Sequence, residues 1–283
     1  ILLAWLTGSV WSLVFSGLIA VIVEVVINWI FLPGAGNRFR WEKPAARELI
    51  NFGKWIFLST VCGFFFHQSD KILMGKYLSL ELLGIYNIGY FLAAFPMLLG
   101  GMVTRRILIP IYRENPPPAS RENFVRLRKM RVVVTAALIL MVGVFAALGH
   151  WLVDLLYDER YLAAGAVTVI VACVQMPQII VQTYDQAALA AGDSRTFFVL
   201  ALARAVLMVG CILAGLELAG LMGALLGIGA AYVLAYPVVV WLARRMGAWD
   251  PLHDALFTLV ALPLAGLAVA INWEAIVALA RLG

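Results

Sequence analysis

Charge is scarce in this chain. Only 13% of its 283 residues are charged while 64% are hydrophobic, against about a quarter charged in an ordinary globular domain, so a water-soluble fold of this length is excluded. Cysteine is equally sparse. Cys62, Cys173 and Cys211 all sit in apolar stretches without CxxC spacing, which argues against a zinc site or a disulfide framework. The histidines are scattered as well. His67, His150 and His253 form no HExxH and have no carboxylate at ligand spacing, so no metal site is expected; His150 and His253, near span ends, read as solvated. There is no GxSxG, no GxxxxGK loop and no aspartate-rich loop for a metal-bound nucleotide sugar, so neither an enzyme nor a bound cofactor is expected. The chain opens on Ile1 inside an apolar run, with no initiator Met and no basic n-region, which reads as a fragment lacking its N-terminal part.

What the sequence has is length in apolar runs. Mean hydropathy is +0.95, and uncharged stretches lie near 10–32, 49–69, 83–104, 132–153, 163–187, 197–216, 221–243 and 256–280. Each is long enough for a helix to cross the hydrocarbon core, which takes about 20 residues, and none alternates with period 2 as a barrel strand must. The fold class is therefore all-α, a polytopic membrane bundle of about eight helices. Ile1 to Leu6 read as the tail of an earlier helix.

Cations fall on alternate loops. One side collects Arg38 to Lys54, then Arg105 to Arg131, then Arg195, Arg244 and Arg245; the other has only Lys71, Lys76 and Arg160. Because Lys and Arg near span ends are retained in the cytoplasm, the first side is expected to be cytoplasmic. The formal charge of +5 is then a topology signal, and no nucleic-acid partner is expected. Pro116 to Pro118 followed by Ser120-Arg121-Glu122 read as a rigid break before a short basic surface helix. Gly215, Gly220, Gly223, Gly227 and Gly229 mark a tight connection between two spans, with a GxxxG that permits close packing in lipid.

Polar residues inside spans are costly and so informative. Gln175, Gln178, Gln182 and Asp185, read as one helix at 100° per residue, share an arc of about 80°. Thr60, Gly63, His67 and Asp70 repeat the spacing, and Gly17, Val21, Glu24 and Asn28 share one side of the first span. Such stripes either line a hydrated cavity or hydrogen-bond neighbouring helices. Arg204 and Asp185 lie about 13.5 and 12 Å from the turn that joins their helices. Arg204 is thus either a charge partner of Asp185 or a cation facing the cavity and an anionic head group such as a diphosphate. Kinks at Pro96, Pro177, Pro237 and Pro263 suit alternating access and are also common in membrane helices generally.

Phe52-Gly53, then Asp70-Lys71-Ile72-Leu73-Met74-Gly75-Lys76-Tyr77-Leu78, then Leu83-Gly84-Ile85-Tyr86, resemble the polysaccharide transporter branch of the MOP flippase superfamily. Tyr161-Leu162-Ala163-Ala164 and Ala190-Ala191-Gly192-Asp193-Ser194-Arg195 are similar to the helices that follow in that family. The resemblance implies a transporter of two six-helix lobes around a central cavity, in the bacterial inner membrane, flipping a polyprenyl-diphosphate-linked oligosaccharide outward for O-antigen, capsule or exopolysaccharide assembly. Residues 1–48 would end the first lobe, 49–243 form the second, and 244–283 add a C-terminal helix. Membrane lipids, a polysaccharide polymerase and other assembly proteins are the implied partners. The family motif falls on Asp70, Lys71, Gly75, Gly84 and Tyr86; of these Asp70 and Gly75 would shape the helix end and short loop, with Lys71 and Lys76 on anionic head groups at the outer face. Competing readings are a drug or metabolite exporter of the related MATE branch, a membrane polymerase or glycosyltransferase, and a noncatalytic scaffold. The Asp70 to Tyr86 motif argues against the first, short outer loops against the second, and the polar stripes against the third.

Overall fold

In the computed structural model, residues 11–31 and 41–282 are described. Among them every regular element is helical and none is a strand. The fold comprises two compact units, Ile1–Glu48 and Leu49–Gly283. In the first, α1 (Trp11–Phe31) is apolar and exposed along nearly its whole length. Arg38 and Arg40, and the apolar start at Ile1 to Leu6, lie outside the described residues.

Helix α2 (Lys43–Tyr77) runs across the boundary and leads into α3 (Leu80–Val103). Ser79 caps α3 by accepting from the Leu82 N–H at 3.3 Å, which satisfies one of the unpaired donors at a helix start. A π turn at Thr104–Leu108 passes into α4 (Ile109–Glu114). Then comes α5 (Arg121–Leu156), capped by Ser120, whose hydroxyl accepts from the Asn123 N–H at 3.0 Å. No separate basic surface helix forms: residues 121–131 continue straight into the membrane span, because Leu127 and Arg131 are buried and give that segment an inward face.

The axis of the second unit is α6 (Ala163–Val181). The most apolar window of its span is 83% buried, against 33% for α5 and 6% for α2, so α6 is walled by protein while the others leave much of their surface exposed. Glycines permit the close approach. A Cβ on Gly89 would lie 2.6 Å from the Ala164 carbonyl, and one on Gly149 3.0 Å from Thr168. The helix stops at Val181 and gives way to a 3-10 turn, Gln182–Tyr184, and a short α7 (Ala187–Ala190). The span expected over 163–187 is therefore broken in its last turns.

The run Ser194–Arg245, α8, is 52 residues long. That is far more than one crossing needs, and Ala219 and Gly220 break it with non-helical dihedrals, Gly220 at φ 53. Its arms pack antiparallel: a Cβ on Gly215 would meet the Gly223 carbonyl at 2.1 Å, and one on Gly227 the Cys211 carbonyl at 2.4 Å. Only glycine allows backbones so close, so the expected tight connection is a helical hairpin. Among the described residues seven helices are long and apolar enough to cross a membrane, and α8 supplies two passes. Helix α9 (Pro251–Ile271) starts at Asp250, whose carboxylate accepts from the His253 N–H at 3.3 Å. The last span, expected over 256–280, divides at Asn272, after which α10 (Trp273–Ala280) runs separately. The Asn272 amide donates to the Ala268 carbonyl at 2.9 Å, capping the end of α9.

Contacts gather the basic loops at one end of the second unit. Arg128 pairs with Asp250, Arg245 with Asp193 at 3.6 Å, and Gly247 abuts Pro118.

Candidate functional site

A cleft of about 490 Å³ opens in the second unit between α2, α3, the break after α6 and the first arm of α8. Along α3 and into the π turn its lining runs from Tyr90 to Arg105, about 22 Å at 1.5 Å per residue. That is most of the roughly 30 Å hydrocarbon core. Apolar side chains such as Phe66, Met97 and Leu200 alternate with polar ones along it.

The polar lining is concentrated at four places. From α2 come His67, Gln68 and Lys71; from the break come Gln178, Gln182, Asp185 and Gln186; from α8 comes Arg204, and Arg105 stands in the π turn. Arg204 and Asp185 form a two-pronged ion pair, Nη1 to Oδ2 and Nη2 to Oδ1, both at 2.8 Å. Their side chains are only 8% and 15% exposed. Matching depth about the turn places them within reach, so the charge-partner reading of Arg204 is the arrangement found. Gln178 donates weakly to the same carboxylate at 3.4 Å, and Phe66 lies 5.7 Å beneath the guanidinium. Because Arg204 is neutralised, the cations left for an anion are Lys71, whose Nζ lies 5.7 Å over the Tyr90 ring, and Arg105. Both are exposed, and neither has a carboxylate partner among the described residues. They stand toward opposite ends of the lining.

Other expected residues fall elsewhere. Gln175 is buried within the walled part of α6 and does not line the cleft, whose lining on this helix begins one turn later at Gln178. Glu24 and Asn28 belong to the first unit, where both are exposed on α1. Within the motif, Asp70 and Tyr86 meet: the buried Tyr86 hydroxyl donates to Asp70 Oδ2, tying α2 to α3, while Asp70 Oδ1 has no partner. Gly75 and Gly84 have room for a methyl group, so close packing does not require glycine at either.

A second polar cluster, not expected from sequence, lies between α5, α8 and α9. Asp254 accepts from the Tyr184 hydroxyl at 2.8 Å, the Tyr236 hydroxyl at 3.0 Å and His253 Nδ1 at 3.0 Å. His253 Nε2 meets Thr135 at 3.1 Å. His253 is thus buried and fully bonded rather than solvated, as a cap-side turn of α9 packs onto α5. Arg131, expected in a basic loop, has no exposed surface; it stacks 4.2 Å over the Tyr184 ring and donates to the Tyr112 hydroxyl at 3.0 Å. Outside the spans, burial pushes the Asp250 carboxyl up, but hydrogen bonds from the Arg128 guanidinium and the His253 N–H outweigh it and hold it below the usual carboxylate range. Asp193 is likewise held low: its hydrogen bonds from Thr196 and the nearby Arg245 and Arg195 overcome partial burial.

A model of a family described as polysaccharide biosynthesis proteins matches residues 1–166, more than half of the chain. The teichuronic acid biosynthesis protein TuaB of Bacillus subtilis (strain 168) is 26% identical over 163 residues, 56% of this chain and 33% of that relative. The chain therefore spans about a third of that relative's length. No solved structure matches. The matched residues carry the α2 and α3 wall of the cleft and the Asp70 to Tyr86 contact, while Asp185 and Arg204 lie beyond them. With the motif, the helical bundle and the match in agreement, the chain belongs to the polysaccharide biosynthesis protein family, of the MOP flippase type.

Proposed function

We propose that the protein containing this chain translocates a polyprenyl-diphosphate-linked oligosaccharide from the cytoplasmic to the outer leaflet of a bacterial inner membrane by alternating access. The observation that carries this reading is the polar cleft that follows α3 for about 22 Å, with Lys71 and Arg105 unpaired toward its two ends. A sugar-diphosphate head needs a wet path with cations that bind phosphate oxygens. The lipid tail needs none and can stay in the bilayer. Membership of a polysaccharide biosynthesis family supports a polysaccharide precursor as the cargo. In this reading residues 1–48 end a first lobe, 49–243 form the second, and 244–283 add a helix; the basic end faces the cytoplasm. The protein makes and breaks no covalent bond, and a polymerase acts on the flipped product.

The test is deletion of the full-length gene, with lipid-linked oligosaccharide in each leaflet measured by mass spectrometry after labelling with a probe confined to the outer side. Accumulation on the cytoplasmic leaflet with loss of polymer is expected. Normal polymer would overturn the proposal, and flipped but unpolymerised units would point to a polymerase.

A further inference from the structure

Four consecutive residues at the break after α6 each bind a different partner helix. Gln182 donates from Nε2 to the Met97 carbonyl of α3 at 3.1 Å. The Thr183 carbonyl accepts from the Tyr112 hydroxyl of α4, also at 3.1 Å. Tyr184 reaches α9, donating to Asp254 and accepting from the Asp250 N–H at 3.2 Å. Asp185 holds Arg204 of α8. In a 3-10 turn successive side chains diverge by about 120°, so Tyr184 enters the buried cluster while Asp185 faces the cleft. Moving one moves the other.

The cluster also leaves donors unused on one side and crowds them on the other. Arg131 is wholly buried, yet its Nε and Nη1 have no partner, whereas Asp254 has three donors. Between them stands Tyr184, its ring under the guanidinium and its hydroxyl on the carboxylate. Unpaired buried donors are costly, and that cost narrows the gap to a state in which Tyr184 withdraws and Arg131 pairs with Asp254 directly.

We propose that Tyr184 is a positioning residue in a two-state device: with its ring inserted the Arg204–Asp185 pair is closed and the cleft has the width described above, and with its ring withdrawn Arg131 and Asp254 join, the turn shifts, and the cleft widens around Ala201. The start of α9 thereby controls access to the cleft. The use of this device in transport rests on the function proposed above, but the coupling itself requires no substrate.

The test uses the full-length protein in membranes, with Cys62, Cys173 and Cys211 replaced by Ala and Ala201→Cys placed in the cleft wall. Its modification rate by a charged methanethiosulfonate reports opening. Tyr184→Phe loses both hydroxyl bonds and weakens the inserted state; labelling should quicken about fivefold or more, the size of a typical coupling between sites. Asp254→Asn keeps an acceptor for Tyr184 but removes the charge that attracts Arg131, so labelling should slow. A merely structural role predicts that both variants loosen the bundle and quicken labelling together. That outcome, or a Tyr184→Phe rate unchanged from the parent, overturns the device. If Tyr184→Phe fails to fold, Asp254→Asn decides alone, since unchanged or faster labelling there refutes the proposal. Absence of labelling in the parent would overturn both the device and the hydrated cleft, whereas normal labelling without response to either variant overturns the device only.

Discussion

Removing Arg204 should expose how much the cleft wall depends on one ion pair. In Arg204→Gln, the Asp185 carboxylate keeps only the Gln178 contact at 3.4 Å. Breaking a buried pair from one side costs about 3–5 kcal/mol. Asp185 is 15% exposed on a cleft that admits water, which lowers the expected loss to roughly 2–3 kcal/mol. Asp185→Asn should cost less. Arg204 then retains the Phe66 face at 5.7 Å, worth about 1 kcal/mol, and can turn toward cleft water. The double variant should be more stable than the sum of the two losses implies by about 2 kcal/mol, because neither charge is left alone. Unfolding of the purified protein by titration with sodium dodecyl sulfate in mixed micelles reads all three. Loss of less than about 1 kcal/mol in Arg204→Gln, with additive singles, would mean that the pair is solvated and that the cleft wall is not built on it.

Gly215→Ala should separate the arms of α8 and cost roughly 1–3 kcal/mol by overpacking, since its Cβ would lie 2.1 Å from the Gly223 carbonyl; Gly210→Ala, with open space, is the control that should not destabilise in the same titration. Tyr86→Phe leaves a buried Asp70 with both oxygens unpartnered and should cost about 1–3 kcal/mol, read by thermal unfolding. Asp250 titrates lower folded than unfolded. Its contribution is therefore complete above the unfolded value near pH 4 and is lost as pH falls through the lowered folded one. Thermal midpoints measured from pH 6 downward should fall less steeply in Asp250→Asn than in the parent, and identical slopes would refute the assignment.

Hydropathy located the membrane crossings well because an apolar run of 20 residues has few alternatives in lipid. It could not locate helix ends. Arg121 to Arg131 looked like a surface segment, since a buried Arg carries the same sequence signal as a solvated one; only the Tyr184 ring and Tyr112 hydroxyl make its burial tolerable. Helical spacing puts Gln178, Gln182 and Asp185 on one face and they do line the cleft, but spacing cannot tell how far along α6 the neighbouring helices close over it, so it groups the buried Gln175 with them. Arg105 carries a topology signal in the sequence, and its place at the end of the α3 span is a second signal that it can reach the cleft. Gln68 and Gln186, which also line the cleft, are each the sequence neighbour of a residue on a polar stripe. The α9 cluster had no signal at all: Arg131, Tyr184, Tyr236 and Asp254 are far apart in sequence and meet only through tertiary packing.

The central claim is that the cleft carries the head of a lipid-linked oligosaccharide across the membrane. Its most direct test is the full-length protein in liposomes loaded with fluorescent polyprenyl-diphosphate oligosaccharide, with an impermeant quencher added outside. The account predicts that quenching extends from the outer half to the whole pool, and that this is lost when Lys71 and Arg105 are both changed to Gln. Quenching confined to the outer half with the unaltered protein, or undiminished exchange in the double variant, would contradict it.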